Sequence, residues 1–363
     1  MSKYWNNRAK KITPYTPGEQ PKDRKFIKLN TNENPYPPSP KVIEAIKNAV
    51  NGDLKLYPDP SSTVFREAAA ARFGVKPENV FAGNGSDEVL AFAFGAYFNT
   101  EAEPLLFPDI TYSFYPVYAG LWDIPFRTIP LREDLSINCD DYKTVRGGVN
   151  GVIFPNPNAP TGIPVPLADI LSLAEYLEAK GRALVVDEAY IAFGAESAVP
   201  HIGKHPNLLT VHTLSKSASL AGLRFGFAIG SEELIEGLYR IKDSFNSYPI
   251  DRLALAGAAA AIGDTTYYEW INRRVMATRE RTEQYLRSLG CEVLPSAANF
   301  LFVKAPEISG GDFFMKLRER GILVRHFNKE RIKDYLRISI GTDEEMDIFL
   351  AACGEIFTRE NLT

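Results

Sequence analysis

Short apolar runs alternate with longer segments of helical periodicity between residues 60 and 245. Strands that alternate with helices of 10–15 residues are typical of a parallel sheet with helices on both faces. The sequence therefore predicts an α/β fold whose large domain is a mostly parallel, doubly wound sheet. The predicted strands are 80–82, 105–107, 151–154, 183–186, 208–212 and 225–229, and the predicted helices of this part are 41–50, 63–73, 87–98 and 167–179.

The pattern changes after residue 250. A long helix over 267–288 precedes strands at 300–303, 322–324 and 336–340, with a further helix over 312–320. This order indicates a smaller α+β domain. The first forty residues, rich in Pro, Asn, Lys and Tyr, show neither a helical nor a strand period and are interpreted as an extended arm. We therefore expect an N-terminal arm (1–40), a large domain (41–250) and a small C-terminal domain (251–363).

Composition excludes several classes of function. The 41 basic and 45 acidic residues give a net charge of −4, which does not favour nucleic acid or an anionic membrane as a partner. No apolar run reaches the roughly 18 residues of a membrane span, and the N-terminal residues do not resemble a secretory signal. The three cysteines are far apart, and the four histidines have no metal-ligand spacing. We expect a cytoplasmic protein without a metal site.

Polar motifs follow four of the predicted strands, where open α/β sheets bind ligands. Residues 83–88 contain glycines followed by the start of a helix. This pattern indicates either an anion-binding site at the helix N-terminus or an ordinary turn with a helix cap. Residues 155–162 form a Pro/Asn-rich loop, which is either an ordinary turn or a rigid loop that aims an amide at a ligand oxygen. Asp187 stands at the end of an apolar strand. A carboxylate there is costly to bury unless a positive group or a hydrogen-bond donor meets it; alternatively, Asp187 caps a helix. Lys216 lies among small and apolar residues, eight positions before Arg224. Most lysines are solvated surface charges. A lysine in such surroundings can have a lowered pKa, and its amine can then form a Schiff base.

This order of motifs resembles the fold-type I aminotransferases that depend on pyridoxal phosphate, over nearly the whole chain. Within them the sequence is most similar to the histidinol-phosphate aminotransferases. The similarity to this group rests on residues 14–18, 29–35 and 57–59 near the start, and on Arg325 and residues 336–341 near the end. Several of these motifs also occur in sister enzymes.

The resemblance implies a role for each residue toward the cofactor. Lys216 would attach the cofactor and then move a proton, Asp187 would face the pyridine nitrogen, and Tyr112 would stack on the ring. Tyr190 and an Asn158-type amide would bond the 3′ oxygen, although the usual amide position is Ala159 in this chain. The phosphate would be held by the backbone N–H groups of Ser86 and Asp87, by the hydroxyls of Thr213 and Ser215, and by Arg224.

The resemblance also implies partners. Tyr57 would reach the cofactor phosphate of a neighbouring subunit, which predicts a homodimer. Arg337 and Arg325 would bind the acid group of the substrate, and Tyr15 would help to close the pocket. The implied reaction, a step of histidine biosynthesis, exchanges an amino group between the pair histidinol phosphate and imidazole acetol phosphate and the pair glutamate and 2-oxoglutarate.

Other functions remain open at this point. An aromatic amino-acid aminotransferase or a threonine-phosphate decarboxylase of the same fold would share these motifs. A catalytically silent regulator is a further alternative, but no basic helix-turn-helix segment is visible in the sequence.

Overall fold

The computed structural model describes residues 3–16, 18–19, 25–100 and 103–357. Most of the predicted elements are present within a few residues of their predicted ends. The helices are α1 (Asn7–Lys11), α2 (Pro40–Ala49), α3 (Thr63–Phe73), α4 (Gly85–Tyr97), α5 (Tyr115–Leu121), α6 (Cys139–Lys143), α7 (Leu167–Glu178), α8 (Glu232–Phe245), α9 (Arg252–Gly263), α10 (Thr265–Ser288), α11 (Gly310–Glu319) and α12 (Asp343–Ile356). The strands are β1 (Ile27–Lys28), β2 (Val80–Gly83), β3 (Leu105–Pro108), β4 (Phe126–Ile129), β5 (Gly151–Pro155), β6 (Leu184–Asp187), β7 (Leu208–Thr213), β8 (Gly226–Ile229), β9 (Glu292–Val293), β10 (Phe300–Lys304), β11 (Ile322–Leu323), β12 (Arg325–His326) and β13 (Tyr335–Ser339).

The large sheet contains seven of the described strands in the order β2-β8-β7-β6-β5-β3-β4. Within this sheet β8 pairs antiparallel with both of its neighbours, while the other pairs are parallel. The strands of its centre, such as β6, are buried along their whole length, as expected where helices cover both faces. The carboxyl ends of β5, β6 and β7 therefore lie side by side at one edge.

Helix α7 shows why these segments become helices that cover the sheet. Its apolar residues recur every three or four positions, and this face is fully buried against the sheet. The four buried side chains are Ile170, Leu173, Ala174 and Leu177.

The smaller antiparallel sheet has the order β12-β13-β10-β9 in the described part of the chain. Phe300, Leu336 and Ile338 fill a core between this sheet and helices α11 and α12. Helix α12 begins at a capping box in which Thr342 and Glu345 exchange hydrogen bonds with each other's backbone, a signal that was readable from the sequence.

The sequence analysis expected an extended N-terminal arm, but the segment contains a short helix, α1. The Asn6 side chain accepts a hydrogen bond from the backbone N–H of Ala9 and so caps the short helix α1. Further along, Ile27 and Lys28 of β1 pair in parallel with Ile322 and Leu323 of β11. The arm is thus attached to the C-terminal part of the chain.

Helix α9 follows directly after the predicted boundary at residue 250. Its residues Ala254 and Ala258 share a core with Val42 of α2 and Phe65 of α3, so this helix packs with the larger part of the molecule. The division of the chain into an arm and two domains stays a prediction.

Candidate active site

A cavity of about 390 Å³ opens at the carboxyl ends of the central strands, next to the smaller sheet. Its walls combine the ends of β6 and β7 with the start of α4, residues of the N-terminal segment and β12 and β13. Ligands of open α/β sheets bind at this edge. The site residues predicted from the sequence that line it are Tyr15, Ser86, Asp87, Tyr112, Asp187, Tyr190, Thr213, Ser215, Lys216, Arg224, Arg325 and Arg337.

Lys216 follows β7 and reaches into this cavity. Its Nζ donates a hydrogen bond of 2.9 Å to the backbone oxygen of Thr31. Burial lowers the pKa of Lys216 to about 8, and the positive charge of Arg337 acts in the same direction. A lysine with a lowered pKa carries a substantial neutral fraction near physiological pH, and the neutral amine is the nucleophilic form.

Asp187 ends β6 in the same cavity. Its carboxylate accepts hydrogen bonds from the backbone N–H of Ala189 at 3.2 Å and from the hydroxyl of Tyr115 at 3.4 Å. Burial raises the pKa of Asp187 to about 7. No cation pairs with this carboxylate among the described residues. A carboxylate in this environment favours a cationic ligand group, which would restore its negative charge.

The first turn of α4 forms one end of the cavity. A side chain at Gly226 would collide with the backbone of Gly85 and Ser86, so the absence of a side chain lets β8 approach the helix start. The backbone N–H groups of this first turn have no partner within the helix, which makes them a seat for an anion. Arg224 lies beside them and pairs with Asp87 at 2.7 Å.

Two hydroxyls and an aromatic ring complete this end. The Thr213 hydroxyl accepts a hydrogen bond from the backbone N–H of Ser215 at 3.1 Å. The Ser215 hydroxyl is buried without a hydrogen-bond partner in the described residues, so it is available to a ligand. Tyr112 donates to Asp87 at 2.7 Å and its ring lines the cavity.

Two arginines form the opposite end. Arg337 is partly buried, and one of its terminal nitrogens donates to the backbone oxygen of Asn30 at 3.1 Å. Its Nε has no partner within the described ranges of the chain, and burial lowers the pKa of its guanidinium. Arg325 lies on the neighbouring strand β12 and contacts the face of Phe327. A partly buried guanidinium that has no carboxylate partner is a suitable receptor for an anionic group of a ligand.

The sequence matches the family model of aminotransferase class I and II over residues 24–352. The chain belongs to this family. The predicted resemblance to its histidinol-phosphate members is confirmed. The histidinol-phosphate aminotransferase of Clostridium acetobutylicum is 54% identical, over 96% of this chain and 98% of that protein. The enzyme of the same name from Acetobacter pasteurianus is 52% identical over 100% of both chains.

Solved structures agree with this assignment and confirm the predicted fold class. The aminotransferase superposes on the histidinol-phosphate aminotransferase of Sinorhizobium meliloti, solved in complex with pyridoxal-5′-phosphate, with a TM-score of 0.87, 25% identity and coverage of 98% of both chains. An aspartate aminotransferase variant of Thermus thermophilus shares the fold with a TM-score of 0.83 at 18% identity, over 98% of this chain and 100% of that one.

Two of the predicted site residues do not line the cavity of this aminotransferase. Asn158 is buried, and its amide donates to the backbone oxygen of Ile110 and to the Thr161 hydroxyl while accepting from Thr111. It connects two loops beneath the site, and Ala159 faces the cavity instead. Tyr57 is 78% exposed and stacks on Tyr248 with ring centroids 4.7 Å apart.

Residues 30–34, which we call the N-terminal strap, contribute side chains that the sequence reasoning did not assign to the site. Asn30, Thr31, Asn32 and Glu33 line the cavity. Asn34 donates to the backbone oxygen of Lys216 at 3.0 Å. The polar run from Asn30 to Asn34 was visible in the sequence, but nothing in it showed which groups it would contact.

Neither a metal centre nor a membrane span is found in the part of the chain that the structure describes. No cluster of three or more potential metal-binding side chains occurs in the described residues. None of the described helices combines the length and the hydrophobicity that crossing a membrane requires.

Proposed function

We propose that this aminotransferase uses pyridoxal phosphate to transfer the amino group of glutamate to imidazole acetol phosphate, which gives histidinol phosphate and 2-oxoglutarate, and that it catalyses the reverse exchange as well. The observation that carries the proposal is that a partly buried lysine, Lys216, and a buried carboxylate, Asp187, line one cavity that ends in two arginines. The names of its full-length relatives support the choice of substrate.

The cavity fits the cofactor on observations independent of the relatives. The Ser215 hydroxyl, buried without a partner in the described residues, and the free N–H groups of α4 suit a phosphate ester. Asp187, whose pKa is raised to about 7 by burial, suits a protonated ring nitrogen. Lys216 supplies an amine that can bind an aldehyde covalently. Arg224 adds a positive charge at the phosphate end.

Each residue has a defined task in the proposed reaction. The bound cofactor supplies an electron-accepting ring that stabilises negative charge on the substrate carbon. Lys216 Nζ would take the proton from the substrate carbon that carries the amino group and would return it to the carbon on the other side of that nitrogen, two bonds away. Asp187 keeps the ring nitrogen protonated by its negative charge, and the Tyr190 hydroxyl bonds the 3′ oxygen. Tyr112 limits the position of the ring by contact with its face.

Arg337 and Arg325 explain how one pocket serves two substrates. The phosphate monoester of histidinol phosphate and the distal carboxylate of glutamate are both anions that a guanidinium binds through paired hydrogen bonds. The Nε of Arg337, which lacks a partner in the described part of the chain, can supply one of these bonds. Tyr15 stacks on Phe114 with centroids 4.1 Å apart and narrows the entrance on the side of Arg325.

A substrate panel tests the choice of substrate. We expect kcat/KM for histidinol phosphate, with 2-oxoglutarate as acceptor, to exceed that for phenylalanine by at least about 100-fold, because the phosphate adds charge-assisted hydrogen bonds to the arginines. Product formation is measured for histidinol phosphate, phenylalanine and phosphothreonine in parallel. A preference for phenylalanine would identify an aromatic aminotransferase, and release of carbon dioxide from phosphothreonine would identify a decarboxylase. An absence of cofactor absorbance in the purified protein would contradict any assignment as a cofactor-dependent enzyme.

We further propose that the enzyme is a cytoplasmic homodimer in which Tyr57 completes the site of the neighbouring subunit. Exposed apolar side chains surround Tyr57, which is the surface character expected of an interface between subunits. Arg252 donates to the backbone oxygens of Leu56 and Tyr57 and so fixes the segment that presents them. The large exposed apolar side chains of residues 51–57 and 245–248 are Leu54, Leu56, Tyr57, Phe245 and Tyr248.

Mixed dimers test this arrangement. We expect Tyr57→Ala to lower activity and Lys216→Ala to abolish it, whereas a mixture of the two variants, unfolded and refolded together, regains activity. In the mixed dimer both substitutions fall in one site and leave the other intact. Activity is compared with that of each variant refolded by itself. A mixture no more active than the sum of its parts would place Tyr57 outside the partner's site.

A further inference from the structure

A buried polar network surrounds the Tyr190 hydroxyl. Asn32 of the N-terminal strap donates from Nδ2 to this hydroxyl at 2.9 Å. The Ser339 hydroxyl donates to Asn32 Oδ1 at 2.8 Å and accepts from the backbone N–H of Asn32 at the same distance. Asn299 donates to the backbone oxygen of Asn32 at 3.0 Å. Asn32, Ser339 and Asn299 are each at most 2% exposed.

The backbone of Asn32 is adapted to this position. Its φ of 56° lies in the left-handed region, which asparagine tolerates better than most residues. Such a conformation persists where surrounding contacts hold it, and four hydrogen bonds hold this residue. The network therefore fixes both the position of Asn32 and the direction of its side chain.

The orientation of the Asn32 amide decides what the Tyr190 hydroxyl can do. Ser339 donates to Oδ1, so Nδ2 is the end that faces Tyr190. A phenol hydroxyl that accepts a hydrogen bond still has one hydrogen to donate. Within the described residues no acceptor takes that hydrogen. The Tyr190 side chain lines the cavity, so a ligand atom there can accept it.

We propose that Asn32 is a positioning residue that makes the Tyr190 hydroxyl a hydrogen-bond donor toward the 3′ oxygen of the cofactor. This inference rests on the proposed cofactor. If the side chain at position 32 presented an acceptor instead, the hydroxyl would donate to it and the 3′ oxygen would lose its donor. Ser339 acts one step further away, because it determines which end of the Asn32 amide faces Tyr190.

The strap links this donor to the C-terminal part of the chain. Ser339 ends β13 and Asn299 precedes β10, so both anchors of Asn32 belong to the smaller sheet, whereas Tyr190 follows β6 of the large sheet. Arg337, the proposed receptor for the anionic group of the substrate, lies two residues before Ser339 on the same strand. A shift of β13 on substrate binding would therefore reach Tyr190 through Asn32.

A pH titration of the cofactor's visible absorption band in the holoenzyme measures the effect of the hydrogen bond from the Tyr190 hydroxyl to the 3′ oxygen. A donor to the 3′ oxygen stabilises its negative charge and favours loss of the proton that the oxygen otherwise shares with Lys216 Nζ. We expect Asn32→Asp, which keeps the shape, the left-handed backbone and the bond to Ser339, to raise the midpoint by about one to two pH units. Tyr190→Phe is expected to raise it by a similar amount.

The double variant separates this effect from the added charge. In the Tyr190→Phe background, Asn32→Asp is expected to shift the midpoint by less than half of its effect in the wild type. A shift of the same size in both backgrounds would show that the negative charge added by Asn32→Asp causes the whole change in the midpoint, and would overturn the proposal. Arg337 and Asp187, the charged groups that face Tyr190, are the same in every variant.

A neutral variant keeps the proposal testable if Asn32→Asp does not fold. Ser339→Ala removes two of the four hydrogen bonds of Asn32, keeps the one from Asn299 to its backbone, and frees the amide to turn. We expect a rise of about half a pH unit to one unit that disappears in the Tyr190→Phe background. Unchanged midpoints in both Asn32→Asp and Ser339→Ala, with cofactor bound as in the wild type, would overturn the role of Asn32 and leave the cofactor assignment standing. A wild-type protein without the band would instead overturn the proposed function.

Discussion

Replacement of Lys216 by alanine is expected to lower the rate of transamination by at least about 10⁴-fold, because the variant has neither the amine that attaches the cofactor nor the base that moves the proton. The two tasks fall on one atom, Nζ, which the structure holds against the Thr31 carbonyl. The loss of both tasks lowers the rate more than the loss of either task alone would. The rate is measured with histidinol phosphate and 2-oxoglutarate at saturating cofactor.

Two controls make the Lys216 result decisive. Lys216→Arg keeps a positive charge in the same place but has no amine that can condense with an aldehyde at neutral pH, so it is expected to be as inactive as the alanine variant. Borohydride should fix the cofactor to the wild-type chain and to neither variant, and the thermal unfolding curves should show that both variants fold. Substantial turnover in either variant would remove Lys216 from its role.

Asp187→Asn is expected to reduce transamination by about 10³-fold, because a neutral amide cannot hold the ring nitrogen of the cofactor in its protonated form. The amide keeps the size of the side chain: its oxygen can still accept from the N–H of Ala189, and its NH2 group can donate to the Tyr115 hydroxyl. The loss therefore reports the charge rather than the packing. Visible spectra with and without substrate show whether the cofactor is still bound.

The same substitution is expected to stabilise the cofactor-free protein at high pH. Burial raises the pKa of Asp187 from its ordinary 3.8 to about 7, so the folded state binds a proton more tightly than the unfolded chain does. The stability of the wild type therefore falls as pH rises from about 4 to 7, and the full cost, on the order of a few kcal/mol, is present above pH 7. A neutral amide at this position carries no such cost, so we expect a higher unfolding temperature for Asp187→Asn at pH 8 and equal temperatures near pH 4.

Glu188→Gln is the matched control for the loss of activity. Burial raises the pKa of Glu188 to about 7 as well, but its carboxylate accepts from Ser197 and from the backbone N–H of Ala198, and it does not line the cavity. This variant should lose little activity. A loss as large as that of Asp187→Asn would show that any buried carboxylate at the end of β6 is needed for folding, and would contradict a role specific to Asp187.

The parts of the site that lie at strand ends were predictable from the sequence. An apolar run followed by Asp187, and another followed by Lys216, are local patterns, and the rule that parallel strands end at one edge brings the two residues together. Most helices and strands of the large sheet were predictable for the same reason, since periodicity is a property of neighbouring residues. Strand β4 and helices α5 and α8 were not predicted; β4 is exposed at three of its four residues and has no apolar run. The antiparallel direction of β8 was not, because a strand's apolar pattern is the same in either direction.

Contacts between distant parts of the chain could not be derived in this way. The hydrogen bond between Asn32 and Ser339 joins residues 307 positions apart, and no local pattern specifies it. Asn158 illustrates the opposite case: the loop was predicted to aim an amide at a ligand, but the amide hydrogens are donated to Ile110 and Thr161 within the protein. The direction of a loop side chain depends on what packs against it.

The pairing of β1 with β11, and the anchoring of Asn32 by Asn299 and Ser339, have a consequence for biosynthesis on the ribosome. Lys216 and Asp187 are translated well before the strands that hold the strap over them. A growing chain thus exposes its reactive amine while one wall of the cavity is still missing. We therefore expect the proposed cofactor to bind stably only late in maturation, and chains cut short before residue 339 to be released without it.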